Sequence, residues 1–219
     1  MPKVADTYKE QMRQKILEAA VKACEKVPAY ALTMRDVIRS SGLSTGAVYS
    51  YYRNIDELWI DFLNNYGSLA EADTQTALYR AAEEPLSGYI CRLLHTIGVS
   101  LQQISMPVGK IIFELEMKRA TDPEFARKRK ENVKVLVFYH EMLRELERQI
   151  RAETESGMLH PSENAETVLL FLQTAFDGIL RDMILERCYG LKKNVPIDEV
   201  NLMDALAKSL CALLNIREV

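Results

Sequence analysis

Twenty residues, "TMRDVIRSSGLSTGAVYSYY" from Thr33 to Tyr52, constrain this chain more tightly than any other stretch. Gly42 separates two short apolar-periodic runs, where a tight helix–helix turn needs a residue at ease with positive φ. Thr33, with Asp36 three residues on, is a capping-box start for the first run. Ser44 starts the second. Val37, Leu43 and Val48 can pack inward. The glycines and hydroxyls suggest a loop, and the crowded tyrosines suggest burial. A helix-turn-helix reconciles them, because its second helix is anchored on one face and enters the DNA major groove with the other. Ser44, Thr45, Gly46 and Ala47 would let backbone approach DNA, and the Thr33 and Ser44 hydroxyls could meet phosphate oxygens. The same pattern also fits a plain helical hairpin with no DNA role.

Charge favours the first reading. Residues 1–53 carry nine Lys/Arg against five Asp/Glu, or +4, in a chain of net charge −3. The rest is therefore −7, so a basic head precedes an acidic body, and a basic head suits an anionic partner.

The apolar period is helical throughout, with no convincing alternation of period two, so the expectation is an all-α chain of about nine helices. A first helix is predicted over about Thr7–Val27, stopped by Pro28. The second and third flank Gly42. "NIDE" at Asn54 opens a fourth, which could reach Tyr79. Later helices are expected over about Leu86–Ser105 and Val108–Arg119. "TDPE" opens one that could run past Arg151. "HPSEN" opens another, ending near Gly190, and Pro196–Glu199 opens the last, to about Ile216. No run reaches a membrane span, and no signal-like apolar core opens the chain, so a cytoplasmic protein with no membrane partner is expected.

Enzyme chemistry is not expected. The four cysteines form no CxxC pair and read as buried thiols, and the three histidines are isolated. There is no nucleophile–base pair, phosphate loop or metal set, so no cofactor is expected. The run "ARKRKENVK" reads as a solvated helix face, since nearby glutamates offset it.

The segment Lys15–Trp59, with "ILEAA" in its first helix, Thr33 opening the second, then "SGLSTGAVYSYY" and an acidic "DEL", resembles the DNA-binding domain of TetR-family transcriptional regulators. The resemblance implies an N-terminal three-helix DNA-binding domain, residues 1–53, and a larger helical ligand-binding and dimerisation domain, residues 54–219. It implies a homodimer on a palindromic double-stranded DNA operator, acting as a repressor released by a small-molecule effector of unknown identity. An activator or DNA-organising protein of the same fold without an effector is the alternative, and a helical protein-binding adaptor a more distant one. Carried over by position, Thr45, Gly46 and Ala47 would face bases with Ser50 close by. Thr33, Ser44, Tyr49 and Tyr51 would contact phosphates, and Tyr52 would be core. Two positions depart from the family pattern. Ile38 stands where a small residue is usual, and Ile55 where a lysine usually contacts phosphate. Arg53 could compensate for the second.

In the body, the last two long segments are apolar on more than one side, as for helices shared with a partner. Leu172, Ala175, Phe176, Gly178, Ile179, Met183, Leu206, Leu210 and Leu213 are the candidate dimerisation residues, with Gly178 permitting close approach. The family's effector cavity would draw on Tyr66, Leu101, Ile104, Met106, Phe113, Met117, Phe138, Tyr139, Met142, Phe171 and Thr174. Met and aromatic side chains adapt to varied apolar ligands. Glu114 is a possible polar handle for a cationic effector, with Asp177 and Arg181 as further polar candidates.

Overall fold

Local side chain–backbone chemistry sets the helix starts. The Thr33 side chain accepts the Asp36 N–H while the Asp36 carboxylate takes the Thr33 N–H, a complete capping box. Ser44 caps with the Ala47 N–H, Asp122 with that of Phe125, Asn164 with that of Thr167 and Asp198 with that of Asn201. Each satisfies a donor that the first turn of a helix leaves open. The computed structural model describes residues 2–66, 76–133, 136–191 and 194–216, with the side chains of 2–6 and 136–140 outside the description.

Among the described residues the chain is all-helical, with ten α-helices. They are α1 (Pro2–Ala23), α2 (Met34–Ser41), α3 (Thr45–Tyr49), α4 (Ile55–Tyr66), α5 (Leu86–Gln103), α6 (Met106–Thr121), α7 (Pro123–Asn132), α8 (Leu136–Glu155), α9 (Ala165–Tyr189) and α10 (Glu199–Leu213). A 3-10 turn, Ala29–Ala31, precedes α2. The expected helix from Asp122 past Arg151 is instead two: α7 ends at Asn132, and α8 begins at Leu136. The apolar period runs on through Val133, so the pattern carries no stop signal there. The expected continuation of α4 toward Tyr79 lies largely outside the described residues. No described helix is long and apolar enough to cross a membrane.

The chain forms two compact units, and it crosses between them three times. The first comprises residues 1–67 and 105–134, and the second residues 68–104 and 135–219. The first unit holds 17 Lys/Arg against 13 Asp/Glu, or +4; the second holds 11 against 18, or −7.

The first unit is centred on Ile16, Leu17, Val37, Val48, Leu58, Trp59, Phe62 and Phe125, all at most 1% exposed. Trp59 meets Phe62 edge-on, with ring centroids 5.6 Å apart. Asp61 of α4 accepts from both Arg13 of α1 and the Tyr52 hydroxyl, which joins three parts of the unit. Burial, and then the Asp61 hydrogen bond, raise the Tyr52 phenol well above its ordinary pKa. Cys24 is buried here, and burial with the nearby Glu114 charge pushes its thiol up to about 12.

In the second unit, α5 packs against α10. A Cβ on Gly98 would lie 2.9 Å from Val200 Cα and 3.2 Å from the Glu199 carbonyl oxygen, so the helix backbones meet at this glycine. Arg92 fastens the 77–85 segment, bonding the Glu84 carboxylate with two nitrogens at 2.8 Å and the Ala77 carbonyl at 3.1 Å. Arg187 reaches the fully buried Glu199 at 2.5 Å.

Two smaller expectations change. Cys91 is exposed and Cys188 half-buried, so only Cys24 and Cys211 are buried thiols. The basic run is only partly solvated: Arg129 is buried against Glu116, and Lys128 bridges Asp56 at 3.2 Å and Glu124 at 2.8 Å.

Candidate nucleic-acid interface

The turn between α2 and α3 has the geometry its residues require. Gly42 has φ of 65°, in the left-handed region, where a Cβ would add strain. Val37 and Val48 are fully buried, Tyr52 is 4% exposed and Leu43 is half-buried. These residues fix α3 against the unit and leave its other side outward.

On that outward side the candidate DNA contacts come together. Thr33, Ser44, Thr45, Gly46, Tyr49, Ser50 and Arg53 are exposed, while Ala47 and Tyr51 are half-buried. No heavy atom would meet a Cβ within 4 Å at Gly46, so the helix surface there is open to a close approach.

Hydrogen bonding sorts these side chains by what they can still offer. The Thr33 hydroxyl donates to the Asp36 carboxylate at 2.5 Å, so its proton is committed to the cap. That bond, then the Thr33 N–H, hold the Asp36 carboxyl below its ordinary range. The Ser44 oxygen accepts from the Ala47 N–H at 3.2 Å, which leaves its own proton for a phosphate. The Ser50 hydroxyl donates to the Ala47 carbonyl at 2.7 Å, which leaves only acceptor capacity outward. Arg53 is exposed, and its backbone N–H bonds Glu57 at 2.8 Å. Ile38 and Ile55 are both half-buried.

The family described as bacterial regulatory proteins, tetR family, matches residues 16–61, which run from the last turns of α1 to the middle of α4. An HTH-type transcriptional regulator of Bacillus subtilis, YfiR, is 23% identical over 188 residues, covering 84% of this chain and 85% of that one. Residues 16–61 are a TetR-type DNA-binding segment. The curated relatives the chain matches are helix-turn-helix transcriptional regulators. The chain is also 22% identical over 180 residues to the HTH-type transcriptional repressor Rv1474c of Mycobacterium tuberculosis, covering 82% and 86%. The solved structure of NalD, the secondary repressor of the MexAB-OprM efflux pump in Pseudomonas aeruginosa, shares the fold. Its TM-score is 0.62 at 20% identity, over 95% of this chain and 98% of that one.

The candidate effector residues divide between the units. Tyr66, Met106, Phe113, Glu114 and Met117 belong to the first; Leu101, Ile104, Met142, Phe171 and Thr174 belong to the second. Phe138 and Tyr139 also fall in the second, in the 136–140 stretch whose side chains lie outside the description. Leu101 and Met142 are buried, whereas Met117, Phe171 and Thr174 are exposed. Tyr66 stacks near Phe62 and accepts from Gln14. Glu114 is buried, yet its oxygens already hold the Ala29 N–H at 2.7 Å and Lys110 at 3.1 Å.

Of the candidate dimerisation residues, Leu172, Phe176, Met183, Leu206 and Leu210 are buried within their own unit. Ala175, Gly178, Ile179 and Leu213 are half-buried. Beside them runs an open groove lined by Thr167, Val168, Phe171, Ser209, Ala212 and Leu213. Spacing alone identified the apolar sides of α9 and α10, but not which of them the chain covers itself.

Proposed function

We propose that this regulator is a dimeric, ligand-responsive repressor that grips a palindromic operator through α3 and leaves it when a small molecule binds the body. The observation that carries the DNA contact is the outward side of α3, where Thr45, Gly46, Tyr49 and Ser50 are exposed around a capped helix start. In this reading Ser44, Tyr49, Tyr51 and Arg53 meet phosphates, and Thr45, Gly46, Ala47 and Ser50 face bases. Thr33 contributes through its cap rather than through a free proton. The division of labour is a reading domain over 1–53 and an effector and dimer domain over 54–219, in a cytoplasmic protein. The repressor names of the Mycobacterium relative and of NalD support the sign of regulation.

The dimer face is the uncovered stripe of α9, where Thr167, Phe171, Thr174, Ala175 and Gly178 follow helical spacing, together with Leu202, Ala205, Ser209 and Leu213 of α10. Small and apolar residues share the stripe, and nothing lies within 4 Å of a Cβ at Gly178. A partner helix could therefore approach closely. Two such chains would hold their reading helices about 34 Å apart, one turn of DNA. Release follows if the effector prefers a conformer whose spacing does not match the operator. Because the chain itself engages Glu114, a cationic effector is not assigned to it.

Selection of bound genomic fragments by the purified protein tests the reading. A recovered inverted repeat, bound by two chains and lost on Thr45→Ala, is the expected result. Equal binding to all fragments would favour a DNA-organising role, and recovery of no fragment would overturn DNA reading altogether.

A further inference from the structure

The segment that carries every candidate DNA contact is fastened at both ends by a single helix. At its front, the Ala29 N–H donates to Glu114 Oε2 at 2.7 Å. Lys110 pairs with the same carboxylate at 3.1 Å and donates to the Cys24 carbonyl at 3.0 Å, just beyond α1. At its rear, Asp56 in the first turn of α4 meets Lys118 of that same helix, α6, at 3.3 Å, with Lys128 of α7 beside it at 3.2 Å. Lys110, Glu114 and Lys118 follow one another at four-residue spacing, on one stripe of α6. Beside that stripe, Ile111 and Leu115 are at most 1% exposed, so the helix is seated in the unit's core.

A buried carboxylate that accepts a backbone N–H is hard to shift, because moving it strands both the charge and the N–H. We infer that Glu114 and Asp56 are positioning residues for DNA reading: through them α6 mounts both ends of the Ala29–Asp56 segment, and the pose of the helix-turn-helix follows α6. This rests on the proposed reading face. It deepens that reading by naming what holds the face in register. Residues 105–134 join the first unit, yet the chain enters and leaves them from the second.

The experiment uses the full chain and one duplex recovered by genomic selection, with a random-sequence duplex beside it. Wild-type binding to the selected duplex tests the reading face itself. Glu114→Gln and Asp56→Asn, both close in shape to the native residues, test the mount. Each is expected to weaken the selected duplex about tenfold. Loosening one end already frees the segment, so the double variant should lose much less than the product of the single losses. Random-duplex affinity should not fall. The emission of the single tryptophan, Trp59, buried in this unit, should stay unchanged. Single variants within twofold of wild type, losses that multiply, or equal loss on both duplexes would overturn the mount. So would a red-shifted Trp59 emission that tracks the loss, since the damage would then be to the fold.

Discussion

Replacing Gly98 by alanine should destabilise the second unit although alanine is the better helix former. The added Cβ would sit 2.9 Å from Val200 Cα, 3.2 Å from the Glu199 carbonyl oxygen and 3.3 Å from Met203 Cβ. Non-bonded carbons rest at about 3.5–4.0 Å, so the first contact is short by about 0.6 Å or more. Two of the three obstructing atoms are backbone, so rotamer changes cannot relieve them, and α5 and α10 must separate. Overpacking of this kind costs about 1–3 kcal/mol, and a backbone obstruction belongs at the upper end. The helix-propensity gain offsets about 1 kcal/mol. The net loss is about 2 kcal/mol, or a fall in Tm of about 4–8 °C for a chain of this size. Circular dichroism melts at fixed protein concentration measure it. Gly178→Ala is the matched control: nothing lies within 4 Å of its Cβ, so in dilute solution it should gain about 0.5–1 kcal/mol. In sedimentation runs at higher concentration the same change should weaken self-association if the α9 stripe meets a second chain. A Gly98→Ala chain that melts at or above wild type would refute the packing argument.

Three further outcomes are expected. Arg53→Ala should lower the slope of log affinity against log salt by about one, for one lost phosphate contact, and an unchanged slope would remove Arg53 from the interface. The depressed Asp36 carboxyl contributes stability that is whole above its ordinary 3.8 and lost as pH falls through its lower folded value. Thr33→Val removes the hydroxyl and should raise the Asp36 titration midpoint in a carboxyl-detected NMR series; no movement would contradict the capping assignment. Exposed Cys91 should react with a thiol reagent at pH 7 in the native state, whereas Cys24, buried and pushed up to about 12, should react only on unfolding.

The helix starts were legible because a cap is a local event: Thr33, Ser44, Asn54, Asp122, Asn164 and Asp198 each act within three residues of themselves. Gly42 was legible for the same reason. The break after Asn132 was not, because apolar residues continue at helical spacing through it. Nor was the role of Glu114, whose backbone partner lies 85 residues away. The sequence offers Glu114 as a possible polar handle for a cationic effector, and the chain itself engages that carboxylate. The basic run misled in part because Arg129 finds its partner, Glu116, on the preceding helix. Local motifs thus exposed the reading helix, while long-range ion pairs hid what holds it.

The three crossings of the chain between its units bear on how this regulator can be recombined with others. A chimaera cut after residue 67 would carry the recognition sequence and leave behind α6 and α7, with Glu114, Lys118 and Lys128. Such a hybrid would borrow its neighbour's helices to seat a foreign turn at Ala29 and a foreign helix start at Asp56. Exchange of DNA specificity should therefore succeed only when residues 105–134 travel with the N-terminal segment. The transferable module is discontinuous in sequence, made of two pieces with a helix of the other unit between them.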